Sequence, residues 1–227
     1  MVFLGCNSAL QLFVDAAHRQ GLTVAGIVDS DYWGNTEKYA GQLIIGTEKD
    51  FEDPEKLKSW SNEYDFFIGT NWSPDPAHAR DKEKRKYLIK LVESVGIRCI
   101  NLIDPDSYIG SNVKLGDGIY IGYHVYIEFE AVINSFTLLH CDTNIGHKCV
   151  VGKNNILQRQ SGLGNCATEE NVFVGIRTNA FTSGQPLIIG EGAVINQGLW
   201  LARSVAPNEH VKLTKDAIRT YQNPTEI

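Results

Sequence analysis

Two architectures are predicted in one chain. A small α/β domain with a mostly parallel sheet spans residues 1–102, a parallel β-helix follows over 103–206, and 207–227 form a C-terminal cap or extension. Three observations lead there. Up to about residue 100, short apolar runs alternate with helical patterns. From 103 onward an aliphatic residue recurs at every sixth position, and beyond 206 that repeat stops.

The first half reads in order. "MVFLG" is a short apolar run, and in "SALQLFVDAAHRQ" the residues Leu10, Phe13, Val14 and Ala17 recur at helical spacing. Ser8 is the expected N-cap of that helix and Gly21 its expected stop. "LTVAGIVD", "QLIIG" and "YDFFIG" read as buried strands. Residues 79–96 carry a charged helix pattern that ends at Gly96, and its run "RDKEKRK" reads as a solvated helix face. "IRCINLI" is apolar again. Strands alternating with helices imply βαβ units and a mostly parallel sheet.

The second half follows a different rule. Ile103, Ile109, Leu115, Ile121, Ile127, Ile133, Leu139, Ile145, Val151, Leu157 and Leu163 stand six apart, and glycine follows six of these eleven. Neither a 3.6 nor a 2.0 period explains this; a hexapeptide β-helix does. Each hexad makes one short strand and a turn, and three hexads close a triangular coil. The phase slips once, putting Thr168, Val174 and Ala180 in the inward slot, and resumes at Ile189, Ile195 and Leu201. A loop leaving the prism is expected at 183–188, and a cap beyond 206, since a terminal coil otherwise exposes its core.

Composition narrows the partners. Twenty-one basic and 27 acidic side chains give a net charge of −6, which argues against nucleic acid or an anionic membrane as the main partner. No apolar run approaches the roughly 18 residues of a spanning helix. "MVFLGCNSALQ" lacks the basic start and long apolar stretch of a signal peptide. Five scattered cysteines without a CxxC pair suggest free thiols in a reducing compartment, so a cytoplasmic location is expected.

A prism built from this repeat resembles the left-handed β-helix of hexapeptide-repeat acyltransferases. With a short Rossmann-like domain in front of it, the whole plan resembles the sialic-acid O-acetyltransferase and bacillosamine N-acetyltransferase family. The resemblance implies a sugar or nucleotide-linked sugar held by the α/β domain and acetyl-CoA, a co-substrate, lying along the prism. It implies a homotrimer whose prisms form the acetyl-CoA groove between them; no metal is expected, on the spacing of the His and Cys residues. The segment "LLHCDTNIGHKCVVGKNN" (138–155) is similar to the family's catalytic stretch, and His147 matches its catalytic histidine. A neutral imidazole suits the removal of a proton from a sugar amine or hydroxyl attacking the thioester.

The chain departs from that pattern in three places. Lys148 stands where relatives carry an acidic residue, so an orienting carboxylate is expected from elsewhere, such as Asp142 or a neighbouring subunit. A second family histidine is absent, its place falling near Asn155 or Ile156, and His140 replaces a frequent asparagine.

Candidate substrate contacts follow the strand ends, where ligands bind in open parallel sheets. Gly5, Asn7 and Ser8 open the first helix and suit an anion. Asp29 and Asp31 end the second strand and suit a ribose or base; Asn71 follows the strand "DFFI", and His140 joins this set. Trp72 reads either as a base-stacking ring or as a loop aromatic packed on the prism. Gly164, Gly175 and Gly192 match the small positions that let the pantetheine arm approach, and Arg177 reads as a CoA-phosphate contact or an exposed structural arginine. N-acetylation of a nucleotide-linked amino sugar is the leading reading, with O-acetylation of a sialic-acid-like sugar or a catalytically impaired scaffold as alternatives. A metal site from His124, His140, His147, Cys141 and Cys149 is disfavoured, because only residues about 18 apart stack on one prism face.

Overall fold

The computed structural model describes residues 1–212. Its first part is a five-stranded sheet of β1 (Val2–Leu4), β2 (Gly26–Val28), β3 (Lys38–Tyr39), β4 (Gln42–Gly46) and β5 (Phe66–Ile68) in the order β3-β4-β2-β1-β5. All neighbours are parallel except the β3–β4 hairpin. Helices α1 (Leu10–Arg19) and α2 (Pro54–Glu63) lie between these strands, and α3 (Ala79–Val95) leads from β5 to the second part.

Helix α1 buries Leu10, Phe13, Val14 and Ala17, the stripe that its spacing predicts. It stops at Gly21, whose φ of +75° favours glycine, with Leu22 N donating to Ala17 O at 2.9 Å. Its start differs from expectation. Ser8 is exposed and caps nothing; the Asn7 side-chain oxygen accepts from Ala9 N at 3.1 Å instead. Helix α3 ends at Gly96 as read. Helix α2 escaped the sequence reading because it buries no residue fully and so shows no apolar stripe; Pro54 and the Asp53 cap define it.

From Leu102 the chain winds through three parallel sheets of two- and three-residue strands. Each strand pairs with the one a coil later, as in Ile127 with Ile145 and Ile145 with Leu163. This arrangement is consistent with a left-handed β-helix. The second residue of each two-residue strand points inward, giving one continuous core that holds Ile121, Ile127, Ile133, Leu139, Ile145, Val151 and Leu157 at 0% exposure. Each such side chain contributes about 1.5–3 kcal/mol on burial. The coils turn at residues of positive φ, which stack in three columns. One holds Asn112, Glu130, Lys148 and Asn165; another His124, Asp142, Gln160 and Arg177; the third Phe136, Asn154 and Asn171.

The repeat runs further than the sequence suggested. His210–Val211 pairs with Val194–Ile195, so residues 207–212 continue the prism rather than cap it. Residues 213–227, the rest of the expected cap, lie outside the described residues.

The outward residues give each sheet its own character. Leu102, Tyr120, Leu138, Ile156 and Phe173 face the α/β domain and share a core with Phe13, Phe67 and Trp72. A second sheet shows Lys114, Val132, Val150, Ala167 and Ile188 in register, a nearly continuous aliphatic column. The third shows Tyr108, Tyr126, Asn144, Gly162, Asn179 and Trp200. Arg85 pins α3 to the prism: it is fully buried and donates to Asn154 Oδ1 at 2.9 Å, Phe136 O at 2.6 Å and Thr70 O.

Candidate active site

His147 sits where the aromatic sheet turns into the aliphatic one, just after the strand Asn144–Ile145. Its Nδ1 lies 2.9 Å from Glu128 Oε2, and its backbone N–H donates to the same oxygen at 2.8 Å. An ionised carboxylate only accepts, so Nδ1 carries a proton, and in the neutral tautomer that this selects the lone pair is on Nε2. The ring stacks on Phe129, one coil earlier, at 5.2 Å and 12°, and 59% of the side chain stays exposed. The hydrogen bonds from His147 hold the Glu128 carboxyl below the usual carboxylate range.

The orienting carboxylate is therefore Glu128, not Asp142. Asp142 stands at a different corner, 3.7 Å from His124 Nδ1. Lys148 turns away from the imidazole: it occupies a positive-φ corner and reaches Glu130 at 3.6 Å. Glu128 lies 19 residues before His147, one coil and one residue back. A search at coil spacing, rather than among sequence neighbours, is the signal that finds it.

A second group gathers at the seam between the α/β domain and the prism. Asn7 Nδ2 donates to Asn71 O at 2.7 Å, Asn71 Oδ1 accepts from Trp72 N at 2.7 Å, and Asn71 Nδ2 lies 3.3 Å from His140 Nε2. His140 is buried, and burial first, then Arg159 and Arg85, push its pKa down to about 4. Trp72 packs on Phe173 with ring centres 5.5 Å apart, which decides between its two readings in favour of packing. A cavity of about 140 Å³ opens here beside Asn7, Ser8, Asn71, Trp72 and Gln158.

A third group lies at the end of β2. Asp29 is inaccessible and accepts from Cys6 N at 2.7 Å, from Asp31 N at 2.9 Å and from Lys84 Nζ. It organises the loop from beneath, while Asp31, paired with Lys84 and Arg80, is at the surface. The bond from Lys84 is the main cause that holds the Asp31 carboxyl low. Gly5 serves the same loop: its φ is +69°, and a Cβ there would meet Leu88 Cδ1 at 2.5 Å.

The three glycines assigned to a cofactor do not converge. Gly164 shares the His147 corner, one coil on, where a Cβ would strike the Phe181 ring. Gly175 is at the Arg177 corner and Gly192 at the third. His124, His140 and His147 are likewise separated, and no three His, Cys, Asp or Glu groups could hold a metal together among the described residues. All five cysteines are free, and burial is the main cause that raises each thiol, so none is poised as a thiolate. Among the described residues no helix is long and apolar enough to cross a membrane.

No protein-family model matches the chain. A bifunctional protein GlmU from Baumannia cicadellinicola subsp. Homalodisca coagulata is 24% identical over 142 residues, 59% of this chain and 30% of that protein. The chain thus spans well under two thirds of that relative. Solved structures share the fold across nearly the whole chain. The acetyltransferase domain of PglB from Neisseria gonorrhoeae FA1090 matches with a TM-score of 0.74 and 15% identity, covering 91% of this chain and 96% of its own. WeeI from Acinetobacter baumannii AYE gives 0.66 and 17%, covering 92% and 95%. PerB from Caulobacter crescentus, solved with CoA and GDP-perosamine, gives 0.54 and 18%, covering 91% and 90%. The PglB domain has also been solved with acetyl coenzyme A.

Proposed function

We propose that this chain is an acetyl-CoA-dependent acetyltransferase acting on a nucleotide-linked amino sugar. The observation that carries the reading is the Glu128–His147 pair, an imidazole oriented through Nδ1 with Nε2 open to solvent. The fold that it shares with PglB and PerB supports the choice of reaction, by analogy. His147 Nε2 takes a proton from the sugar nitrogen as that nitrogen bonds to the thioester carbonyl carbon. When the C–S bond breaks, the imidazolium returns the proton to the departing thiolate. Glu128 stays ionised throughout and steadies the transient imidazolium.

A homotrimer belongs to the same proposal, on two grounds. The aliphatic column beside His147 leaves Val150 39% and Ile188 45% exposed, an apolar strip suited to a like surface. The strand-end loops of the α/β domain cover one sheet, while His147 stands at the corner between the other two. A site uniting the loops with His147 therefore draws on two copies of the chain.

The test is thiol release from acetyl-CoA with a panel of nucleotide-linked amino sugars, comparing the wild type with His147→Ala. Turnover that falls at least a hundredfold in the variant supports the reading. Equal turnover moves the base elsewhere, and no turnover with any sugar removes the proposed acceptor class.

A further inference from the structure

One of the two prism corners that flank the sheet facing the α/β domain carries two arginines that no carboxylate pairs among the described residues. Elsewhere on the prism several charged side chains are paired: His147 with Glu128, Lys148 with Glu130, Lys153 with Glu93. Here Arg177 stacks on Gln160 in the column of positive-φ residues, and Arg159 is the residue just before Gln160, Arg177 N donating to Arg159 O at 3.0 Å. The two arginines thus belong to neighbouring coils of the prism. Arg159 makes no side-chain hydrogen bond or ion pair among the described residues. Arg177 is held at Nε by Gln160 Oε1 at 2.8 Å, which fixes the plane of its guanidinium and leaves its two terminal nitrogens without a partner among those residues.

Both arginines line a cavity of about 650 Å³, together with Cys141, Asp142, Gln160 and Gln197. Asp142 is the one carboxylate among its lining residues, and it already stands against His124. Two like charges on neighbouring coils without a counterion repel each other, and planar guanidinium forks match phosphoryl oxygens. Gln158, the residue before Arg159, lines the smaller cavity beneath Asn7, Ser8 and Asn71. The cationic corner therefore adjoins the strand-end loops of the α/β domain.

We propose that Arg159 and Arg177 form a clamp for a diphosphate group, one guanidinium to each phosphoryl. The choice of ligands rests on the transferase reading, under which two diphosphates are available: that of a nucleotide-linked sugar and that of coenzyme A.

The test is calorimetric binding of UDP, GDP and coenzyme A to the full chain, for the wild type, Arg159→Gln, Arg177→Gln and Arg177→Lys. A loss of tenfold or more for the nucleoside diphosphates, with coenzyme A unchanged, supports the clamp and assigns it to the sugar donor. The same loss for coenzyme A alone supports it and assigns it to the acyl donor. Arg177→Lys keeps the charge but not the fork, so an intermediate loss is expected. Unchanged affinities in folded variants, judged by far-UV circular dichroism, overturn the clamp, as does a wild type that binds none of the three. Because binding is read without turnover, absent thioester cleavage with an intact clamp would sink only the transferase reading, and turnover without a clamp only this one.

Discussion

The side-chain amide of Asn71 donates to His140 Nε2 at 3.3 Å, across the seam between the α/β domain and the prism. The direction is set by the other end of the amide, where Asn71 Oδ1 accepts from Trp72 N. His140 is therefore neutral, with its proton on Nδ1, in agreement with the depression of its pKa to about 4 by burial, Arg159 and Arg85.

A stability profile follows from that histidine. Between its ordinary value of 6.5 and about 4, the unfolded chain binds a proton that the folded chain refuses. Stability contributed by the neutral ring is complete above pH 6.5 and falls as the pH drops toward 4, by up to about 1.4 kcal/mol per pH unit. His140→Gln removes this slope. Urea unfolding at steps from pH 7 to pH 4 measures it, and parallel profiles for the two proteins would show that His140 is not the cause.

Glu128→Gln separates orientation from charge at the proposed base. The amide is isosteric but cannot stabilise an imidazolium as a carboxylate does, so kcat drops about tenfold to a hundredfold with KM for acetyl-CoA little changed. Asp142→Asn, at another corner, leaves kcat within about twofold. Steady-state kinetics on both variants decide it; the reverse ranking would return the orienting role to Asp142.

Arg85→Ala opens the seam. It strands the Thr70 and Phe136 carbonyls and the Asn154 side chain where water does not reach, at a cost of about 3 kcal/mol or more. Lysine cannot reach three diverging acceptors at once and restores little of the loss. Denaturant midpoints report both, and a variant as stable as the wild type would mean that α3 is held elsewhere.

Val150→Lys and Ile188→Glu test the aliphatic sheet. Each places a charge in the strip proposed to be shared between copies, so each converts a trimer to monomers and lowers transferase activity with it. Light scattering coupled to gel filtration gives the mass directly. A trimer that survives both changes places the subunit contact on another face.

The sequence alone determined the architecture, because a β-helix repeats one local geometry. Each hexad places its aliphatic residue in the same environment, so Ile127, Ile145 and Leu163 could be read as a stacked column from period alone. Helix α1 was legible for the same reason, and helix α2 was not, since it hides no apolar stripe. The position of His147 was also readable from its segment. What only the tertiary structure decided is which charges meet, because stacking brings together residues about 18 apart that no local pattern links. It gave His147 the carboxylate of Glu128 and turned Lys148 to Glu130. It buried Asp29 and His140, and it brought Arg159 and Arg177 to one cavity on neighbouring coils, neither paired with a carboxylate among the described residues. Local periodicity is a short-range property of the chain, whereas electrostatic pairing depends on where the coils and the α/β domain place each side chain in space.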